Sequence, residues 1–232
     1  MAADPGFDWA DIRLVAFDVD GTLYRQRPLR LRMALALALR AGGAGGRRTL
    51  RVLSAYRRLR EDYGEAERDD VEATLVAATA AAAGVSADEV TRTVAEWIHR
   101  RPLPHLRASM YAGLPGLFAA IRASGRTIGI LSDYPAAAKL AAMGLAADHM
   151  HGPDTPDFTR LKPSPHGLLA LIAAAGVAPH QTVLVGDRPE RDGLAARRAG
   201  AHSLIRKSKP VAGWTCFARY DDPVFAPLLA GA

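Results

Sequence analysis

The sequence is poor in cysteine and in aromatic side chains. Its 232 residues include one cysteine, Cys216. A single cysteine excludes an internal disulfide framework and is typical of a protein from a reducing compartment, so we predict a buried packing role for it. Aromatic residues make up 6% of the chain, and no basic run interleaves with them. A stacking surface for nucleic acid is therefore not expected.

No apolar run is long enough to cross a bilayer, which takes about 20 residues. The most apolar early segment, residues 33–39, is closed off by Arg32 and Arg40. Residues 1–6 show no basic start followed by an apolar stretch, so no signal peptide is predicted. We expect a cytoplasmic protein without a membrane span.

The charge balance is basic, with a formal net charge of +6. The arginines are spread along the chain, so the balance favours a small anionic substrate over nucleic acid as the partner. Arg25, Arg27, Arg47 and Arg48 could contribute to an anion-selecting surface, although arginines on helices are more often solvated. The sequence does not indicate an oligomeric state.

Short apolar runs end in polar residues at three places, residues 14–17, 127–131 and 182–185. Such runs are typical of parallel strands that are covered on both faces. Residues 201–205 form a fourth candidate. Helical segments separate the later runs, and this alternation predicts an α/β fold with a parallel sheet. The predicted helices cover residues 115–124, 135–143, 165–175 and 192–199.

The stretch from about residue 28 to 106 contains no convincing strand and is rich in alanine, leucine and arginine. It predicts a helical insert after the first strand, with Gly42 to Gly46 as a flexible loop. Ser86 is expected to cap the last helix, with Glu89 completing a capping box. The predicted helices of the insert span residues 29–41, 49–63, 69–83 and 87–101.

Asp18 and Asp20 follow the first predicted strand directly. Carboxylates at positions i and i+2 of an extended segment lie on the same side, so both can face one reacting phosphorus. An ordinary aspartate is ionised at neutral pH, which leaves Asp18 available as a nucleophile and Asp20 as the general acid and base. Gly21 allows a sharp turn beside a ligand, and Thr22 follows it. An Asp-Gly turn that merely closes a strand is the alternative.

Further polar residues follow the other predicted strands or precede helices. Ser132 can hold a phosphoryl oxygen, and Lys162 can place a positive charge beside the phosphate. Asp187 and Asp192 offer oxygen ligands that suit Mg²⁺. Because the carboxyl ends of parallel strands meet at one sheet edge, we expect these groups to converge there.

The ordered set of motifs resembles the haloacid dehalogenase superfamily of phosphohydrolases over residues 14–205. The first motif matches Asp18 to Thr22, and the others match Ser132, Lys162, and Asp187 with Asp192. The resemblance implies a Rossmann-like three-layer core formed by residues 1–26 and 107–232, and an α-helical cap formed by residues 27–106. It also implies an aspartyl-phosphate intermediate on Asp18, with Gly21, Thr22, Ser132 and Lys162 binding phosphate.

In the resemblance, Mg²⁺ is held by the Asp18 side chain, the Asp20 backbone carbonyl and one or both of Asp187 and Asp192, with Asp187 the more direct ligand. The aspartate at position 20 argues for phosphate ester chemistry, since halide leaves without a proton. A Mg²⁺-dependent phosphatase of a small phosphomonoester is therefore expected. A sugar-phosphate mutase and a non-catalytic protein that retains the fold are the alternatives.

Asp133 stands where many members of this superfamily have asparagine. We predict that its side chain caps the helix beginning at Pro135, because aspartate is a common helix N-cap. His149 and His151 have a spacing that could suggest a metal site, but no further histidine or cysteine is near, and a loop is predicted there.

Overall fold

A computed structural model of the chain describes residues 6–40 and 44–230. Its centre is a parallel sheet of six strands, with the spatial order third, second, first, fourth, fifth, sixth along the chain. The strands are β1 Leu14–Phe17, β2 Thr127–Leu131, β3 His149–His151, β4 Thr182–Gly186, β5 His202–Arg206 and β6 Cys216–Phe217. The α/β class predicted from the sequence is confirmed.

Helices cover both faces of the sheet and form the insert between β1 and β2. The α-helices are α1 Gln26–Arg40, α2 Ala44–Glu65, α3 Val71–Ala83, α4 Ala87–Val94, α5 Leu106–Ser109, α6 Leu114–Ala123, α7 Ala137–Met143, α8 His166–Ala175, α9 Leu194–Ala199 and α10 Ala226–Leu229. Short 3₁₀ turns are Leu103–His105, Pro179–Gln181 and Pro223–Phe225, and π-helical turns are Ala95–Arg100 and Pro189–Gly193.

The central strand β1 divides its side chains between two apolar layers, as the two-residue period of a strand requires. Val15 and Phe17 pack in a cluster with α6, α7 and α10. Leu14 and Ala16 pack on the opposite face, in a cluster with α8 and α9. All four side chains are fully buried, which explains why this strand is a continuous apolar run in the sequence. The result is a three-layer core.

The helices of the insert have an apolar cluster of their own. It is built from α2, α3 and α4, with Val52, Leu75 and Val90 fully buried. Phe158 and Leu161, from the loop after β3, complete the cluster and join it to the core. The structure therefore has an α-helical cap inserted after β1. The limits of this cap at residues 27 and 106 stay a prediction.

Two predictions about the cap helices are wrong in detail. Residues 44–46 of the flexible loop expected from Gly42 to Gly46 lie in α2, which begins at Ala44; residues 41–43 lie outside the described part of the chain. Ser86 does cap α4 by accepting a hydrogen bond from the Glu89 amide at 3.2 Å. The Glu89 carboxylate, however, forms an ion pair with Arg48 and does not complete a capping box.

Two strands, β3 and β6, were not predicted from the sequence. His149 and His151 lie in the edge strand β3, where a loop was predicted, because three residues with two histidines show no apolar run. Cys216 lies in β6 and is half-buried, although a buried position was expected. Within the described residues, no helix is both long and apolar enough to cross a membrane.

The carboxyl-terminal segment is fastened to the first motif by one buried hydrogen bond. The Tyr220 hydroxyl donates to the Thr22 backbone carbonyl at 2.6 Å. Burial raises the pKa of Tyr220 well above its ordinary value, so the hydroxyl keeps its proton and remains a donor. This contact supports the backbone of the turn that follows Asp18 and Asp20.

We predict that Tyr220→Phe lowers the free energy of unfolding by about 1–3 kcal/mol, because the buried Thr22 carbonyl loses its donor. Urea denaturation monitored by circular dichroism measures this change. Tyr111→Phe is the matched control: its hydroxyl makes no hydrogen bond to another described side chain or backbone group, and a change within about 0.5 kcal/mol is expected. Equal effects of the two substitutions would contradict the structural role given to Tyr220.

Candidate active site

Asp18 lies at the carboxyl end of β1 and faces a cleft between the core and the cap. Its backbone amide continues the sheet by donating to the Val185 carbonyl at 2.9 Å. One carboxylate oxygen accepts a hydrogen bond from the Thr22 hydroxyl at 2.8 Å, and the other contacts the Lys162 ammonium at 2.5 Å. The side chain is thus held at both oxygens while it still lines the cleft.

Lys162 lies between two carboxylates. Its ammonium is 2.5 Å from Asp18 Oδ1 and 2.7 Å from Asp192 Oδ1, and the side chain is 4% exposed. Burial alone would lower the pKa of this lysine, but Asp18 and Asp192 outweigh that effect and raise the pKa well above its ordinary value. Lys162 is therefore a permanent cation at the base of the cleft.

Asp192 has no free oxygen. Oδ1 contacts Lys162, and Oδ2 accepts hydrogen bonds from the backbone amides of Asp187 and Arg188, at 3.0 and 2.9 Å. Asp192 comes from the π-helical turn Pro189–Gly193, which directs its side chain back over the end of β4. In this structure it holds its neighbours in place more than it faces the cleft.

Asp187 contrasts with Asp192, because its Oδ1 is buried and makes no hydrogen bond to any described residue. Gly21 explains how it fits: a Cβ at that position would lie 2.4 Å from Asp187 Oδ2. Gly21 also has a φ of +100°, which is strained for any residue with a side chain. The absence of a side chain at Gly21 thus allows the turn after β1 to approach the loop that carries Asp187.

Asp18, Asp187 and Asp192 form a carboxylate cluster whose nearest oxygens all lie within 4.8 Å of one another. Burial raises the pKa of Asp18 well above its ordinary value, with added repulsion from Asp192 and Asp187, while Lys162 opposes the rise. Burial and Asp192 likewise raise the pKa of Asp187 to about 6. One lysine does not balance three carboxylates, and the unpaired oxygen of Asp187 fits a hard divalent cation.

Asp20 is held by a different lysine. Lys139, from α7, contacts Asp20 Oδ1 at 2.8 Å and Oδ2 at 2.6 Å, and the Tyr24 hydroxyl donates to the same carboxylate. Burial alone would raise the pKa of Asp20, but Lys139, Tyr24 and Lys162 together outweigh burial and lower it. Sequence reasoning missed both partners, because one lysine in an alanine-rich helix and one tyrosine after a turn carry no motif.

Thr22 and Ser132 are both fully buried and are absent from the residues that line the cleft. Thr22 is bonded to Asp18, as described above. The Ser132 hydroxyl accepts a hydrogen bond from the Tyr134 amide at 3.2 Å. The phosphate contacts expected of both residues stay predictions. In this structure the Thr22 hydroxyl orients the Asp18 carboxylate.

The prediction that Asp133 caps the following helix is wrong. Its Oδ1 accepts a hydrogen bond from the Lys162 backbone amide at 3.0 Å, and α7 begins two residues after Pro135. Asp154 takes the capping position by accepting from the Ala136 amide at 2.8 Å. Asp133 thus holds the loop that carries Lys162, an interaction across 29 residues that sequence proximity could not indicate.

The cap reaches the same loops through buried guanidinium groups. Arg60 of α2 donates to the Asp133 carbonyl at 2.8 Å and pairs with Glu72. Arg191 donates to the Lys162 carbonyl at 2.6 Å and pairs with Glu61 of the cap. Cap and core therefore meet directly over the residues that surround Asp18.

The cleft between them holds two neighbouring cavities of about 360 and 330 Å³. Asp18, Lys162, Asp187 and Asp192 line the first, and Asp20 lines both. A model of the haloacid dehalogenase-like hydrolase family matches residues 12–200. The chain belongs to this family. The matched region includes every predicted site residue and the whole cap.

Relatives within the haloacid dehalogenase-like hydrolase family differ in their chemistry. The chain is 30% identical over 233 residues to a phosphoglycolate phosphatase from Rhodospirillum rubrum, covering 90% of this chain and 87% of that one. The fold resembles the HAD-hydrolase YfnB from Bacillus subtilis bound to magnesium (TM-score 0.69, 13% identity, 94% of this chain and 99% of that one). It also resembles a β-phosphoglucomutase from Clostridium difficile (TM-score 0.63, 15% identity, 95% and 96%).

We predict that the affinity for Mg²⁺ falls by about tenfold or more when the pH is lowered from 7.5 to 5. The pKa of Asp187 is raised to about 6, so this carboxylate is ionised at pH 7.5 and takes up a competing proton as the pH falls. Isothermal titration calorimetry and the rise in Tm on adding Mg²⁺ both report the affinity. Asp187→Asn should bind weakly at both pH values. An unchanged affinity of the wild type at pH 5 would contradict the assignment.

Proposed function

We propose that this chain is a Mg²⁺-dependent phosphatase that hydrolyses a small phosphomonoester through an aspartyl-phosphate intermediate on Asp18. The observation that carries the proposal is that Asp18 and Asp20, two residues apart, line one cleft and are each held by a different lysine. Two carboxylates with separate cationic partners suit a reaction in which one attacks phosphorus and the other moves a proton.

In the first step, an Asp18 oxygen attacks phosphorus and the bond from phosphorus to the ester oxygen breaks. The Lys162 ammonium, 2.5 Å from Asp18, offsets the repulsion between the carboxylate and the anionic phosphate. Asp20 gives its proton to the departing alkoxide. For this, Asp20 must take up a proton when the substrate enters, since Lys139 favours its ionised form in the free protein.

In the second step, Asp20 is ionised and accepts a proton from water. The resulting hydroxide attacks the phosphorus of the aspartyl phosphate, which releases phosphate and restores the Asp18 carboxylate. Lys139 and Tyr24 hold both oxygens of Asp20 in place, and their contacts suit this base role.

A divalent ion, when bound, supplies positive charge that stabilises the transferring phosphoryl group. Asp18, the Asp20 backbone carbonyl and Asp187 are the proposed ligands. Asp192 has both oxygens engaged, and we assign it to the orientation of Lys162 and of the Asp187 backbone. This ordering keeps Asp187 as the more direct ligand of the two late aspartates, as the family resemblance already implied.

The phosphoglycolate phosphatase relative makes phosphoglycolate one substrate to assay. The mutase neighbour is too distant in sequence to support more than a shared fold. Product analysis separates the two activities: a phosphatase releases free phosphate, whereas a mutase converts a sugar phosphate into its isomer.

We predict that Asp18→Asn lowers kcat for a generic aryl phosphate by about 10³-fold or more, because the amide cannot serve as the nucleophile. Release of inorganic phosphate in the presence of Mg²⁺ is the measurement. Asp221→Asn, at an exposed ion pair with Arg219, is the control and should retain full activity. Wild-type rates in Asp18→Asn would refute the proposed mechanism.

Lys139→Met should lower kcat by about 10–100-fold, since Asp20 loses its ammonium partner and its fixed orientation. We expect a larger loss with an alkyl phosphate than with p-nitrophenyl phosphate, whose leaving group needs little help from a proton. Lys139→Arg should restore part of the activity.

Lys209→Met, at an exposed position, is the control for loss of a lysine. Equal losses with the alkyl and the nitrophenyl ester would show that Lys139 does not act through Asp20. Circular dichroism of each variant establishes that a buried substitution has left the fold intact.

A further inference from the structure

The second cavity, of about 330 Å³, extends from Asp20 away from the carboxylate cluster and under the cap. It shares Asp20, Gln26, Arg30, Glu61 and Tyr134 with the cavity around Asp18, so the two form one continuous cleft. Its volume lies within the range of small-molecule sites. Because Asp20 is the proposed proton donor to the leaving alcohol, this chamber is where that alcohol must lie.

One part of the chamber wall is apolar. The side chains come from α1, from the π-helical turn after α4, and from the residues that follow that turn. They are Leu29, Met33, Trp97, Ile98 and Pro102. A wall of this kind accommodates a carbon skeleton with an apolar face and gives little to a strongly hydrated alcohol. The chamber is larger than a short two-carbon acid would fill.

The carboxylates of the chamber are already neutralised. Asp20 is paired with Lys139 at 2.6 Å. Glu61 is paired with Arg188 at 2.9 Å and with Arg191 at 2.6 Å. Neither carboxylate is therefore left to pair with another cation in the wall.

Three arginines of the wall have no such partner. In residues 6–40 and 44–230, no carboxylate oxygen lies within 4.0 Å of the guanidinium nitrogens of Arg30, Arg57 or Arg58. Partial burial lowers the pKa of Arg57 and the Arg30 charge lowers it further, while Tyr134 and the Asp20 carboxylate oppose the shift. All three side chains are exposed where they line the chamber, so their guanidinium groups are available to an anionic ligand through charge-assisted hydrogen bonds.

The transferring phosphate does not account for all three. Arg57 and Arg58 line only the second chamber, while Asp18 and Lys162 line only the first. We infer that the alcohol portion of the substrate carries a second anionic group, a carboxylate or a phosphate, beside an apolar body. This inference rests on the proposed phosphatase activity. Arg30 and Arg57 bind the anion, and the wall containing Trp97 and Met33 packs on the body.

The position of the arginines corrects the sequence-based candidates. Arg25, Arg27, Arg47 and Arg48 line neither cavity. Arg25 instead lies over the Tyr111 ring, and Arg48 pairs with Glu89. The arginines that select substrate are therefore predicted to be Arg30 on α1 and Arg57 in the middle of α2. Arg30 lies about one helical turn after Arg27, and Arg57 lies nearly three turns after Arg47.

The test compares esters that share one body. Benzyl phosphate and 4-carboxybenzyl phosphate differ by a carboxylate that is remote from the reacting oxygen, and the bisphosphate of 1,4-benzenedimethanol replaces this carboxylate with a phosphate. For the wild type we expect kcat/KM to be about tenfold or more higher with a second anion than for benzyl phosphate, the size of a charge-assisted hydrogen bond. Comparison of the two anionic esters identifies which anion is preferred.

Arg57→Met and Arg30→Met should each reduce this preference by about tenfold, and Arg57→Lys should restore part of it. Arg51→Met, an exposed arginine of α2 outside both cavities, should leave the preference unchanged. Inhibition by the product alcohol provides a second measurement: 4-(hydroxymethyl)benzoate should inhibit and benzyl alcohol should not.

Equal kcat/KM values for the three esters in the wild type would overturn the inference while leaving the phosphatase proposal intact. A preference that survives in both Arg57→Met and Arg30→Met would overturn the assignment of these arginines. Absence of phosphate release from all three esters and from an aryl phosphate would overturn the phosphatase proposal itself, and the inference with it.

Discussion

The site depends on a buried ammonium group. Lys162 lies between Asp18 and Asp192, with only 4% of its side chain exposed. Burying one charge is costly unless partners and hydrogen bonds compensate, and here three chain segments converge to provide them. The end of β1 brings Asp18, the turn after β4 brings Asp192, and the loop before α8 brings the lysine. Removing any one would leave an uncompensated charge among the others.

The cap is built onto the same network. Arg191 contacts the Lys162 carbonyl and Glu61 of α2, and Arg60 of α2 contacts the loop at Asp133. The arrangement of the loops around Asp18 and the position of the cap are therefore coupled. Two lysines each pair with a different carboxylate: Lys162 contacts the proposed nucleophile Asp18, and Lys139 holds Asp20, the proposed proton-transfer residue. Asp20 also lines the second cavity, whose wall carries the arginines.

The sequence predicted those parts that depend on local pattern. The apolar run of β1 and the residues just after it placed Asp18 and Gly21 at a sheet edge, and α/β alternation placed Lys162 and Asp187 beside them. Contacts between distant segments carried no such pattern. Lys139 resembles any solvated helical lysine, Asp133 binds a loop 29 residues away, and Arg57 acquires its surroundings only when the cap folds over the core. Short edge strands such as β3 lacked an apolar run.

The most direct measurement is chemical trapping of the proposed intermediate. The protein is mixed with a phosphomonoester substrate and Mg²⁺, quenched in acid during turnover, and reduced with borohydride, which converts an aspartyl phosphate into homoserine. Peptide mass spectrometry then locates the modified residue. The account predicts homoserine at position 18 and nowhere else. Release of phosphate with no modification at Asp18, or with modification at another aspartate, would contradict it.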